Sequence, residues 1–245
     1  MKRIHLFLIP LFVLILLAGC TPQGGTKAGT GSGAAKSAAA SSKPVETLSQ
    51  IEEKATKGDP EAQFNLGMIY LEGSNVAKDP AKGRMWLERA AQSGYAKAQF
   101  NLGVMYYQGG DGVVQNLTKA RAWFLEADKS GDVLAQFNLG VMFYRGEGGP
   151  KSFPKAIAYF KKAAAQGYAE AGYNLGVMYA KGEGIERNTV EAIAWFEIAA
   201  AQGNTKSDGV AKGLLAKLTP EEQKQAKART VELAKEVEAL AHPAN

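Results

Sequence analysis

Nine residues return four times in this chain: AQFNLGMIY from Ala62, AQFNLGVMY from Ala98, AQFNLGVMF from Ala135 and AGYNLGVMY from Ala171, at spacings of 36, 37 and 36 residues. A period in this range marks a stacked array, because one unit cannot bury its own apolar face and must be covered by the next. At 100° per residue, Ala62, Leu66, Ile69 and Tyr70 share one arc of a helix, while Phe64, Met68 and Leu71 lie roughly opposite. A helix apolar on two sides needs neighbours on at least one of them.

Each unit is expected as two helices. Gly67, Gly103, Gly140 and Gly176 fall inside the first helix, where each costs ~1 kcal/mol relative to alanine. Close approach of the paired helix is the expected compensation. Gly73, Gly109, Gly146 and Gly182 end the first helix in left-handed backbone. The second helix opens at Asp79, Asn116, Ser152 and Asn188, all good N-cap residues, and its core positions are Trp86-Leu87, Trp123-Phe124, Tyr159-Phe160 and Trp195-Phe196. The glycines that close second helices begin at Gly58, so a half-unit, 45–61, precedes full units 62–97, 98–134, 135–170 and 171–206. A worn unit, 207–218, follows, and Thr219-Pro220-Glu221-Glu222 reads as a capping box opening a last helix within 219–245.

The first residues concern the compartment. A basic start at Lys2 and Arg3 leads into an apolar run from Ile4 to Leu17, ending in Leu17-Ala18-Gly19-Cys20. As a helix this run rises about 21 Å, short of the ~30 Å hydrocarbon core, so residues 1–19 read as a secretion signal. LAGC resembles the bacterial lipoprotein lipobox, which implies cleavage before Cys20 and acylation there. Thr21 in place of aspartate favours, by resemblance to Gram-negative lipoproteins, the periplasmic face of the outer membrane. Residues 21–44 are almost entirely Gly, Ala, Ser, Thr and Lys and are expected to form a disordered tether reaching roughly 25 to 30 Å.

Ala62, Leu66-Gly67, Tyr70, Gly73, Trp86, Ala90 and Gly94, with their equivalents in three further units, resemble the Sel1-like repeat family, a variant of the tetratricopeptide repeat with a longer loop between its helices. The resemblance covers about 45–217. It implies an all-α, right-handed α-solenoid of stacked helix-turn-helix repeats, acting as an adaptor that holds a protein or peptide on its concave wall. By position, that wall is the first-helix stripe of Phe64, Met68 and Leu71; Phe100, Val104 and Tyr107; Phe137, Val141 and Tyr144; and Tyr173, Val177 and Ala180, with Arg145 and Lys181 beside it; the alternative is that Phe64 and its equivalents, and the Tyr107 and Tyr144 column, pack between adjacent first helices. Columns that vary between units are free to carry specificity. The unchanging Asn65, Asn101, Asn138 and Asn174 are expected to bond a neighbouring unit.

Chemistry has few candidates. Without the leader one histidine remains, His242, which provides neither a His-based triad nor a multi-His metal site. With Cys20 acylated no thiol nucleophile is left, and no cofactor is expected. Gly182-Glu183-Gly184 lacks the strand and the Lys-Ser/Thr of a phosphate cradle. Some secreted relatives with a cysteine pair in each unit are associated with penicillin binding or weak β-lactamase activity, and this chain lacks those cysteines. The net charge of +5 falls to about +3 without Lys2 and Arg3, and its signs are interspersed, which argues against nucleic acid. The expected function is a lipid-anchored envelope scaffold, the alternative a peptidoglycan-binding protein or cell-wall enzyme. Self-association through the last helix is a further possibility, on a stripe of Val231, Ala234 and Val237 or of Leu233, Val237 and Leu240; as a cap, that helix would fold over Ala211 to Leu218.

Overall fold

The computed structural model describes residues 46–241, so the apolar leader, Cys20, the tether and His242 lie outside the described residues. Eleven helices follow among these: α1 Leu48–Thr56, α2 Pro60–Glu72, α3 Pro80–Gln92, α4 Ala96–Gln108, α5 Leu117–Asp128, α6 Val133–Arg145, α7 Phe153–Ala165, α8 Ala169–Lys181, α9 Thr189–Ala201, α10 Thr205–Leu215 and α11 Pro220–Ala241. They pair as α2 with α3, α4 with α5, α6 with α7 and α8 with α9, and each second helix also packs on the first helix of the next pair. The half-unit is α1, packed on α2. This is an all-α solenoid in which every unit is completed by its neighbours.

The helical glycines make the pairs possible. A Cβ on Gly103, Gly140 or Gly176 would come within 2.5, 2.6 and 2.7 Å of the rings of Phe124, Phe160 and Phe196, which are buried. At Gly67 the facing residue is Leu87, and the corresponding approach is 3.0 Å. Asp79, Asn116 and Asn188 accept from the backbone N–H of Lys82, Lys119 and Glu191 as N-caps, whereas Ser152 makes no side-chain cap bond. Gly73, Gly146 and Gly182 close their helices in left-handed backbone; Gly109, before the longest loop, instead combines φ 70° with ψ −168°.

Both ends of the stack are modified. In α1, Gln50 and Lys54 occupy the columns of Trp86 and Ala90, so that face ends on exposed polar side chains. In α10, Lys212 stands in the glycine column and bonds Asp208 at 2.7 Å. A second helix cannot approach closely over a lysine, and α11 runs elsewhere.

The expectation that α11 folds over Ala211 to Leu218 is therefore corrected. The helix is capped as expected, with Thr219 N–H donating to Glu222 Oε2 at 2.8 Å and Glu222 N–H to Thr219 Oγ1 at 3.3 Å. It then packs along α9 and reaches α7. The reason lies in α9, where Ala192 to Phe196, Ile198 and Ala199 are all buried: a helix apolar all round needs cover on every side. Ala226, Leu233 and Val237 supply the buried contacts of α11. Arg229 pairs with both oxygens of Glu191 at 2.6 and 3.1 Å and with Glu236 at 2.7 Å. Val231 and Leu240 remain exposed.

Candidate interaction face

The aromatic column of the first helices is interlocked with its surroundings. Phe64 packs on Tyr95 with ring centroids 5.4 Å apart, and Phe137 packs on Tyr168 at 4.7 Å. These two tyrosines precede α4 and α8 at the position where Asp59 and Asp132 cap α2 and α6; in place of a cap bond each contributes a ring to the unit before it. Phe100 and Tyr173 lean on Phe124 and Phe196 of their own second helices, at 5.7 and 5.4 Å. Phe137, Tyr173 and Val177 are 9%, 7% and 0% exposed, too enclosed to offer a surface to a partner. Phe64, Met68, Leu71, Phe100, Val104, Val141 and Ala180 are half-buried.

The varying column just after the repeated nine has a structural occupation. Tyr107 Oη donates to Glu147 Oε2 at 2.8 Å, and Tyr144 Oη donates to Glu183 Oε2; each acceptor sits in the interhelix loop of the following unit. Arg145 and Lys181 lie 3.5 and 3.6 Å from these same glutamates and complete each group with a cation. The loops are held close by glycine. A Cβ on Gly184 would lie 2.0 Å from Phe153 Cβ, and one on Gly148 would lie 2.2 Å from the Leu117 carbonyl, so each loop rests on the start of the preceding unit's second helix. That contact accounts for the Gly182-Glu183-Gly184 spacing without any phosphate chemistry.

The buried Arg121 adds a further tie between units two and three. Its Nη2 donates to the Met142 and Gly149 carbonyls at 3.1 and 3.4 Å, and its guanidinium lies 4.3 Å from the Phe143 ring centroid.

Burial first, and then the bond to Glu147, push the Tyr107 hydroxyl up to about 12; Tyr144 is raised for the same reasons with Glu183. A raised pKa means that the folded state favours the protonated phenol. The clamp contribution is thus complete below pH 10 and disappears as pH climbs from 10 to about 12. In a tyrosinate absorbance titration, Glu147→Gln should bring the Tyr107 transition down toward 10; an unchanged transition would show that the carboxylate does not hold it.

One expectation about the repeated nine is corrected here. Asn101 Nδ2 and Asn138 Nδ2 donate one turn back within their own helices, to Lys97 O at 2.7 Å and Leu134 O at 2.8 Å, so these asparagines tie no units together. The tie is made by the glutamine two residues earlier. Gln63 Nε2 donates to Ala55 O at 3.2 Å and Gln99 Nε2 to Ala91 O at 3.1 Å, in each case at the end of the preceding second helix. Where Gly172 replaces this glutamine, Gln202 reaches the matching carbonyl of Ala164 at 2.8 Å. The available signal was its wheel position: Gln63 falls between Tyr70 and Gly67, a polar residue on the buried side.

Among the described residues no group of three or more His, Cys, Asp and Glu is arranged to hold a metal ion, and no helix is long and apolar enough to cross a membrane. A stack of helix pairs joined by glutamine bonds and tyrosine clamps, with a half-exposed stripe on its first helices, defines a helical-repeat protein. The chain belongs to the Sel1 repeat family, which matches it at 60–95, 96–132, 133–168 and 169–204. Proteins of this family generally mediate protein–protein interaction and are typically non-catalytic scaffolds. Among solved structures, a protective antigen of uropathogenic Escherichia coli with an SLR fold is 31% identical, with a TM-score of 0.68 over 77% of this chain and 41% of its own. A Sel1 repeat protein from Oxalobacter formigenes is 35% identical, with a TM-score of 0.60 over 67% of this chain and 47% of its own. The chain thus spans less than half the length of either. No curated protein matches it.

Proposed function

We propose that the chain is a lipid-anchored, non-catalytic adaptor of the cell envelope that captures a protein through the exposed side of α2, α4 and α6. The observation that carries this reading is the split within the repeated nine: alanine, leucine, glycine and glutamine face inward, while Met68, Val104 and Val141 stay half-exposed and apolar. Cys20 supplies the anchor, since acyl chains at about 0.8 kcal/mol per buried CH₂ hold a protein on a bilayer without a spanning helix.

A photo-crosslinking side chain at Val104 in living cells is expected to trap a discrete protein, and one at Lys129, exposed at the end of α5, is expected to trap none. Equal adducts from both positions would overturn the face. Labelled fatty acid should enter the chain and be lost in Cys20→Ala; no labelling would overturn the anchor.

A further inference from the structure

The exposed stripe is not equally open along the stack. Phe64 and Phe100 are half-buried, whereas Phe137 and Tyr173 are almost enclosed; Met68, Val104 and Val141 are half-buried, whereas Val177 is fully covered. The clamps also differ along the stack. Tyrosine and glutamate close the junctions between units two and three and between three and four, but at the first junction Leu71 stands in the tyrosine column and Gly110 in the glutamate column. Phe64, Met68 and Leu71 pack against a cluster shared by the first two units, Leu87, Ala90 and Ala91 with Ala98 and Leu102, while keeping part of their surface free.

This open stretch carries charge at both ends. Glu61 and Glu72 lie eleven residues apart on α2, about 20° apart around its axis and about 16 Å along it. Both are exposed, and among the described residues neither is paired with a basic side chain; Glu72 accepts only the Ser74 hydroxyl, at 3.1 Å. Asn65 and Met68 lie between them, with Phe64 and Leu71 alongside. One unit further, Lys97 takes the Glu61 column and Gln108 the Glu72 column, so the pair of carboxylates belongs to α2 alone.

We infer that this face receives a basic segment, in which apolar side chains are bracketed by two cations about 16 Å apart, seated along α2. The inference rests on the adaptor reading and names the chemistry of its partner. Two unpaired carboxylates at the rim of an apolar stripe attract such a segment and repel an acidic one, so they set the choice of partner and the rate of encounter. Lys97 fixes the register, since a cation over α4 would meet like charge.

The probes are a labelled amphipathic peptide of leucine and lysine and its leucine–glutamate counterpart, measured against the full chain by fluorescence anisotropy. The lysine probe is expected to bind about tenfold more tightly, with the difference shrinking as salt rises. Glu61→Lys with Glu72→Lys should reverse that preference, while Glu221→Lys with Glu238→Lys on α11, the same change in net charge, should leave it in place. Equal loss in both double variants would reduce the effect to net charge and overturn the inference. If both probes bind alike and Met68→Asp releases both, the face stands and the basic preference falls. If Met68→Asp, still helical by circular dichroism, releases neither probe and Val104 traps nothing, the face itself falls.

Discussion

Gly140→Ala is expected to lower the thermal midpoint clearly, although alanine is the better helix former. The new Cβ would sit 2.6 Å from two carbons of the Phe160 ring, and that ring is 0% exposed, so it has no space to move into. Overpacking of this kind costs about 1 to 3 kcal/mol, and the helix-propensity gain returns about 1 kcal/mol, so the net loss for so tight a contact is about 2 kcal/mol. Gly67→Ala should be milder, because its added carbon meets the Gly83 carbonyl and Leu87 at 3.0 Å, a looser fit than the 2.6 Å at Gly140. Gly209→Ala, in α10, should raise stability by up to about 1 kcal/mol, because no atom lies within 4 Å of its added carbon. Differential scanning calorimetry of the three variants tests the order; a stabilised Gly140→Ala would overturn the account of helix pairing.

The second large effect concerns α11. Leu233 and Val237 are 2% and 7% exposed, and Leu233→Ala is expected to cost about 3 kcal/mol in urea unfolding. Removing the helix by truncation after Leu218 should do more. Ala194 and Ile198 lie on the side of α9 between Glu191 and Glu197, both of which bond α11, and truncation opens that apolar strip to water. Hydrogen exchange should then accelerate in α9, and light scattering should show the shortened chain associating more than the intact one. A shortened chain that stays monomeric, with α9 still protected, would mean that α11 is dispensable cover.

Much of this fold is legible in the sequence because its signals are local and repeated. A glycine that recurs at one helical position in four units must be allowing something to approach, and the structure shows the leucine or phenylalanine that does so. N-caps, the half-unit at Gly58 and the Thr219 capping box are likewise short-range chemistry. What the repeats conceal is the partner of each outward side chain. Asn101 and Gln99 are both recurring polar residues on one helix, and only tertiary packing decides that the asparagine bonds its own turn while the glutamine bonds its neighbour. The path of α11 depends on Lys212, a single departure from a glycine column. The varying column after the repeated nine looked free to carry specificity because its correspondents, Glu147 and Glu183, lie 40 and 39 residues away. Leu71 faces a loop without glutamate; Tyr107 and Tyr144 face loops that have one.

That matching gives the array a reading order. Each clamp draws its hydroxyl from one unit and its carboxylate from the next, so a single unit, copied or transplanted, carries two unmatched halves. A duplicated third unit would suit its new neighbours, since it holds both Tyr144 and Glu147; a duplicated first unit, with Leu71 and Ser74, would interrupt the ladder wherever it landed. The units are not interchangeable beads, and the chain itself specifies which of them can stand beside which.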